Sequence, residues 1–325
     1  MQAGLDIVGF GPIGRELAKR IASEKELVSK FLVISISDSS GTIFPKKQTD
    51  VLKAVDWKIS GRKLSELDFG KQRKKSSIFV DLTNSDYNRA QEARKRALYA
   101  LQSGKHFVAA SKVALSNYFD EIFTMARRRK LEIGYGATIC GGRHAVSVAS
   151  NIEPVEMLSA SAVLNASTTM ILSTLEQDKN ITFDTACQKA SESGILESDW
   201  SIDLDGIDAA AKAAILGNVL FPKSKSSISK VVCRGIRDEE AKELIKVNRT
   251  NPETRTRLVA EITKEKISVA PKSLPPDSAL AVSGRFNAVQ FETKTLGQIS
   301  VRNLGGGVAL TTAVVLSDLK RLASV

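Results

Sequence analysis

The chain opens on a short apolar run, Leu5–Gly9, that breaks into a glycine turn and then a helical periodicity, GFGPIGRELAKRIA. The run FLVISIS follows and ends at Asp38, and SSIFVDLT (76–83) is the next apolar stretch. The pattern then predicts a helix over 87–103, a strand at HFVAAS (106–111), a helix over 118–130 and a strand at LEIGYGA (131–137). Continuous apolar runs are what strands buried on both faces look like. Their alternation with helices predicts an α/β fold with a parallel, doubly wound sheet of Rossmann type.

After about Ala137 the rhythm changes. SASAVLNAS (159–167) reads as a strand, and helices are predicted over 168–177, 182–193 and 205–217. Strand-like runs return at 228–233, 257–262, 267–270, 288–293 and 298–301, and a helix over 308–322 follows three glycines, 305–307. This is an α+β region with a mostly antiparallel sheet.

Within it, Asp208 and Lys212 lie one turn apart on one helix face, among Ala209, Ala210, Ala211, Ala213 and Ala214. A lysine on a closely packed helix, with Glu197 and Asp203 nearby in sequence, suits proton transfer or a polar substrate. The plainer reading is an acidic first turn and one i,i+4 ion pair.

Composition narrows the classes. Apolar residues make up 42% of 325, enough for a core. The net charge is +11, but the basic runs are short and scattered and aromatics are only 6%, so no stacking platform for nucleic acid is expected. The three cysteines, Cys140, Cys187 and Cys233, lack metal-ligand spacing, and two histidines make a His-based metal site or triad improbable. No apolar stretch reaches membrane-spanning length, and the first strand starts too early for a signal peptide, so a soluble, cytoplasmic protein is expected.

Gly9, Gly11 and Gly14 fit G-x-G-x-x-G between a strand and a helix, the arrangement that seats a dinucleotide pyrophosphate on a helix N-terminus. Pro12 and Ile13 lie inside this turn. Asp38, 24 residues beyond Gly14, would bond a ribose 2′-hydroxyl and favour NAD. Ser39 and Ser40, with Lys46 and Lys47, could instead accept a 2′-phosphate; with the charge surplus they tilt the expectation to NADP, NAD being the alternative.

Several segments together resemble homoserine dehydrogenases nearly end to end: ISISDSSGTIF, VAASKVALS, YGATICGG, LNASTTMIL and NLGGGVALTTAVVLSDL. The most specific is GILESDWSIDLDGIDAAAK, similar to the family's G-x-x-E-x-D-P-x-x-D-x-x-G-x-D-A-x-x-K. Glu197, Asp203 and Asp208 fall on its acidic residues and Lys212 on its catalytic lysine, while Lys112 falls on the lysine of the T-x-N-K segment. The resemblance implies NAD(P)-linked interconversion of homoserine and aspartate 4-semialdehyde, a step toward threonine and methionine. With 325 residues, a short form without the aspartokinase or C-terminal regulatory domain that some members carry is expected. Residues 1–137 and 303–325 would bind the dinucleotide, and 138–302 would bind substrate and form a homodimer through its sheet. The apolar strands SASAVLNAS and FNAVQFET are expected to leave a sheet face for that partner to cover.

Roles follow from the resemblance. Lys212 would transfer the proton, with Lys112 binding or polarising the oxygen. Glu197 and Asp208 would hold the substrate's ammonium end, Asp203 would join the substrate site, and backbone or hydroxyl donors, with Ser167 and Thr168 as candidates, would take the carboxylate. Thr83, Ser111, Lys112 and Gly306 would join the glycine turn around the cofactor. Family members can hold a monovalent cation at the YGATICGG segment; Gly136 stands where they have glutamate, which leaves the cation open. Trp200 replaces the signature's proline, and Arg143 and His144 replace a small residue and proline. These departures keep a second reading alive, a related oxidoreductase acting on another small amino or hydroxy acid.

Overall fold

The computed structural model describes residues 2–71, 75–139, 147, 157–196 and 199–324. Two compact units emerge: residues 1–114, 121–138 and 308–325 form the first, and 115–120 and 139–307 the second.

The first unit is built on strands β1 (Ala3–Val8), β2 (Phe31–Asp38), β3 (Gly41–Ile43), β4 (Ile78–Asp81), β5 (His106–Ala109) and β6 (Ile133–Gly134). Their order is β3-β2-β1-β4-β5-β6. Every pairing is parallel except β2 with β3. The chain leaves β1 toward β2 on one side and later returns to β4 on the other, so the strand order reverses at the carboxyl end of β1, where Gly9 begins the turn. Open α/β sheets bind ligands at that point. Leu5, Ile7, Ile36 and Val80 of the sheet pack with Leu17 and Ile21 of the Pro12–Ser23 helix. Val315, Leu316, Leu319 and Leu322 of the terminal Val308–Leu322 helix belong to the same core.

Local signals set the differences from the sequence pattern. The Gln48–Ile59 helix buries only Val51, Ala54 and Val55, too few apolar positions to read as an amphipathic stripe. The helix expected over 118–130 starts at Val113, and its regularity breaks at Tyr118 (φ −132°, ψ 31°), where the sequence signal began.

The second unit holds β7 (Met157–Val163), β8 (Val232–Cys233), β9 (Arg255–Ile262), β10 (Ile267–Leu274), β11 (Phe286–Thr293) and β12 (Gly297–Leu304), in the order β12-β11-β7-β9-β10-β8. All pairings are antiparallel except the short one of β8 with β10. The strand expected through Ser167 ends at Val163, because Asn165 caps a helix over Ala166–Gln177 by accepting from Thr168 N. Gly206, at φ +80°, turns the chain from a short helix, Ser201–Leu204, into the Ile207–Leu220 helix.

The register sorts this sheet's faces. Ala160 pairs with Phe291 and Ile262, and Ala162 with Val289 and Ala260, so these apolar residues share one face. That face meets the Ile207–Leu220 helix, where a Cβ on Gly217 would come 2.5 Å from Ile267 Cδ1. The opposite face differs from the uncovered apolar surface expected. Ser161, paired with Gln290 and Glu261, and Ser159, paired with Glu292, make it polar over one half. Val163, Val259 and Ala288 on the other half are covered by the chain's own Leu280 and Val282. Arg257, fully buried, pins that covering segment by donating to Val282 O, Ser283 Oγ (3.2 Å) and Glu176 Oε1 (2.8 Å).

Candidate active site

In the first unit the three glycines do different jobs. Gly9 sits at φ +95°, and a Cβ there would fall 2.5 Å from Leu82 C. A Cβ on Gly14 would fall 2.2 Å from Gly9 O, so this position holds helix and turn together. Gly11 faces open space and caps the Pro12–Ser23 helix, whose first turn carries no acidic residue. Pro12 and Ile13 are that helix's first two residues. The N-terminal amides of the helix therefore open onto room for an anion, as a pyrophosphate requires.

Asp38 ends β2 as expected, but both its oxygens are engaged. Oδ1 accepts from Ser40 N (2.8 Å) and Ser40 Oγ (2.6 Å), and Oδ2 meets Lys58 Nζ at 2.8 Å. Burial works against ionisation, yet the hydrogen bonds from Lys58 and Ser40 outweigh it and hold the carboxyl below its usual range. Ser39 is exposed, and Lys47 caps the Gln48–Ile59 helix.

Thr83 follows β4 and is clamped. Its hydroxyl donates to Asp81 Oδ1 (2.6 Å) and accepts from Arg96 Nη2 (2.9 Å), and its amide donates to the same Asp81 oxygen (3.0 Å). Ser111 lies just beyond β5, its amide on Asp81 O at 3.3 Å. Its hydroxyl is buried with no hydrogen-bond partner among the described residues, a polar atom that a ligand would satisfy. Lys112, half-buried, precedes the Val113–Arg128 helix and donates its amide to Ser85 Oγ (3.2 Å). Open space at Gly11 and the orphaned Ser111 hydroxyl at the sheet's carboxyl end both fit a nicotinamide dinucleotide.

The second unit gathers the other residues. Lys212 Nζ lies 2.7 Å from Asp208 Oδ2 and 2.8 Å from Leu164 O. Asn165 Nδ2 donates to Asp203 Oδ1 (2.5 Å) and to Asp208 Oδ2 (2.9 Å). Asp203, Asp208 and Asn165 are 9%, 7% and 2% exposed, so the cluster is charged and nearly dry. Ser167 donates its hydroxyl to Ile195 O (2.9 Å), and Thr168 donates its own to Asn165 O (3.1 Å). Gly306, at φ +73°, gives its carbonyl to Arg285 Nη2 (3.0 Å). Glu197, Cys140, Arg143 and His144 lie outside the described residues.

A family model described as homoserine dehydrogenase matches residues 147–319. The homoserine dehydrogenase of Pyrococcus horikoshii is 34% identical over 98% of this chain and 97% of its own. That of Methanocaldococcus jannaschii is 30% identical, covering 96% of each chain. A solved structure of a hyperthermophilic archaeal homoserine dehydrogenase in complex with NADPH is 32% identical, with a TM-score of 0.82 over 99% of this chain and 98% of that one. The chain belongs to the homoserine dehydrogenase family. Its activity is therefore that of an NAD(P)-dependent oxidoreductase on a CH–OH group, interconverting L-homoserine and L-aspartate 4-semialdehyde.

Three residues that contact the candidate residues escape a reading of the sequence: Lys58 and Arg96 in the first unit and Asn165 in the second. Asn165 alone had a local signal, being an N-cap residue type three positions before Thr168. Gly136 offers no side chain to a monovalent cation, and its amide is bound to Asp318 Oδ2 (2.8 Å). Among the described residues there is also no group of His, Cys, Asp and Glu able to hold a metal ion, and no helix long and apolar enough to cross a membrane.

Proposed function

We propose that Lys212 is the proton-transfer residue for homoserine oxidation and that the buried carboxylates beside it bind the substrate's ammonium end. The single observation behind this is the Lys212–Asp208 pair at 2.7 Å. A lysine held by a carboxylate and a backbone carbonyl is fixed in direction, as a general acid–base group must be. When bound, the nicotinamide supplies or accepts the hydride. In reduction the Lys212 ammonium gives its proton to the aldehyde oxygen as the alcohol forms; in oxidation Lys212, first freed of one proton to solvent, takes the hydroxyl proton as the neutral amine. Lys112 polarises the same oxygen; this role rests on the resemblance. So does the assignment of Glu197, with Asp203 and Asp208, to the ammonium. The hydroxyl protons of Ser167 and Thr168 are engaged on carbonyls. We therefore assign the substrate carboxylate to the backbone amides of Ala166 and Ser167 at the start of the helix, Thr168 N being taken by Asn165 Oδ1, rather than to these hydroxyls.

The cofactor would be held by the Gly9–Gly14 turn, Thr83 and Ser111, with NADP preferred. What supports NADP is Lys58: it neutralises the carboxylate that would otherwise repel a 2′-phosphate. A homodimer through the second unit's sheet is the expected assembly. Exposed Phe286 and Leu304, paired across β11 and β12, are consistent with a covered surface there. A cytoplasmic location suits an enzyme that draws on the nicotinamide pool for amino-acid synthesis. Initial rates with L-homoserine and either cofactor, followed by reduced-nicotinamide absorbance, test the reading. Turnover of other small hydroxy acids in preference to homoserine would overturn it.

A further inference from the structure

Asn165 occupies an unusual position among the charged groups of the second unit. It is 2% exposed, and its side-chain amide has three partners. Oδ1 accepts from Thr168 N (2.8 Å), which fixes the orientation of the amide group and turns the NH₂ toward the carboxylates. The two N–H bonds of Nδ2 then reach Asp203 Oδ1 (2.5 Å) and Asp208 Oδ2 (2.9 Å). Asp208 Oδ2 is also the oxygen that meets Lys212 (2.7 Å), and the carbonyl immediately before Asn165, Leu164 O, accepts from the same ammonium (2.8 Å). One dipeptide, Leu164–Asn165, thereby touches Asp203, Asp208 and Lys212, which come from two other helical segments.

The chemistry of an amide suits this junction. It is neutral, so it can bridge two carboxylates without adding charge to the site, and it carries one acceptor for the helix end and two donors for the acids. A hydroxyl could not serve all three, and a carboxylate would offer acceptors to acceptors. Its neighbours Ala166 and Gly305 pack closely, a Cβ on Gly305 falling 2.9 Å from Ala166 Cβ, so the dipeptide cannot shift freely.

We propose that Asn165 is a positioning residue of the reaction: it sets the relative orientation of Asp203 and Asp208, and through Asp208 and the adjoining carbonyl that of the Lys212 ammonium. The proposal rests on the assignment of Lys212 to proton transfer. Asn165 itself need touch neither substrate nor cofactor.

Asn165→Asp is the informative variant. It keeps the cap, since aspartate accepts from Thr168 N as well as asparagine does. It replaces the NH₂ with an oxygen that faces two carboxylates, which raises the carboxyl's affinity for a proton. When protonated, the new group can donate to one of the acids again. The expected result is a kcat lowered by roughly 10²-fold at alkaline pH, and recovering at least about tenfold relative to wild type as the pH falls toward 6. Binding of reduced cofactor, read by fluorescence titration, should change by less than about threefold. A kcat ratio that stays flat across pH, or a kcat within about threefold of wild type throughout, overturns the proposal.

Thermal melting supplies a readout independent of turnover. A carboxyl whose folded pKa is raised stabilises less as pH rises from its unfolded value through its folded one. The Tm deficit of Asn165→Asp should therefore widen between about pH 5 and pH 8; a constant deficit counts against the geometry. Should Asn165→Asp not fold, Asn165→Ser keeps the cap and removes the bridge, and must lose kcat with cofactor affinity retained. If wild type fails to oxidise homoserine, the functional reading fails, while the melting comparison still decides whether Asn165 orders the acids.

Discussion

Lys58 closes on Asp38: its ammonium lies 2.8 Å from Oδ2, while Ser40 gives both its amide and its hydroxyl to Oδ1. The acid that a glycine-turn dehydrogenase would use to choose NAD is thus neutralised by a lysine from the next helix.

Removing that lysine should change cofactor choice. In Lys58→Ala, Asp38 regains an unbalanced charge that repels a 2′-phosphate and can bond a 2′-hydroxyl. The ratio of kcat/KM for NADP to that for NAD should fall about tenfold or more, about the size of one charge-assisted contact. An equal effect on both cofactors would assign Lys58 a structural role. The pair should also mark acid stability. Asp38 has a lowered pKa in the folded chain, so its contribution is present above the unfolded value and is lost as pH falls through the folded one. Wild type and Lys58→Ala should therefore converge in Tm at acid pH and differ at neutral pH.

Gly11 and Gly14 should separate binding from folding. Gly11→Ala adds a methyl group where nothing lies within 4 Å, so the fold should survive while cofactor KM rises. Gly14→Ala adds one 2.2 Å from Gly9 O, which forces helix and turn apart and should cost a few kcal/mol of stability. Melting curves together with cofactor titrations check both; equal Tm values for the two variants would contradict the division of roles.

The described thiols should be inert. Burial pushes Cys187 up to about 11, and does the same for Cys233. At about pH 8 roughly one thiol in a thousand is then ionised at each. In a Cys140→Ser background, a thiol-disulfide reagent should label native protein over hours but unfolded protein at once. Rapid labelling of the native state would mean that these segments open.

Assembly can be read directly. Light scattering should give about 70 kDa, twice the 35.1 kDa chain, for a two-fold dimer. Because half of the outward sheet face is polar, Phe286→Ser or Leu304→Ser should weaken a dimer only if their exposed strand ends belong to it. A fully active monomer would dismiss the assembly.

Much of this was legible in the sequence, for physical reasons. Strands buried on both faces leave continuous apolar runs, so IFVD and HFVA announce themselves, and the glycine turn shows because only glycine tolerates what Gly9 and Gly14 meet. Asp208 and Lys212 were visible because helical spacing is local. Lys58 was not: it reaches Asp38 across 20 residues from a weakly amphipathic helix. Asn165 hid inside an apolar run that reads as strand until its capping bond is seen. Arg257, 0% exposed on β9, reads as an ordinary polar alternation, and nothing nearby in sequence tells of the loop it pins. Contacts between distant segments carry no periodicity, and the cover of the sheet's apolar half is one of them: it comes from Leu280 and Val282.

The most direct measurement of the central claim is the steady-state kcat of Lys212→Ala with L-homoserine and NADP, beside wild type, with cofactor binding checked by titration. Loss of a positioned general acid–base group should lower kcat by ~10²–10⁴-fold and leave cofactor affinity nearly unchanged. A kcat within about threefold of wild type would contradict the assignment of proton transfer to Lys212.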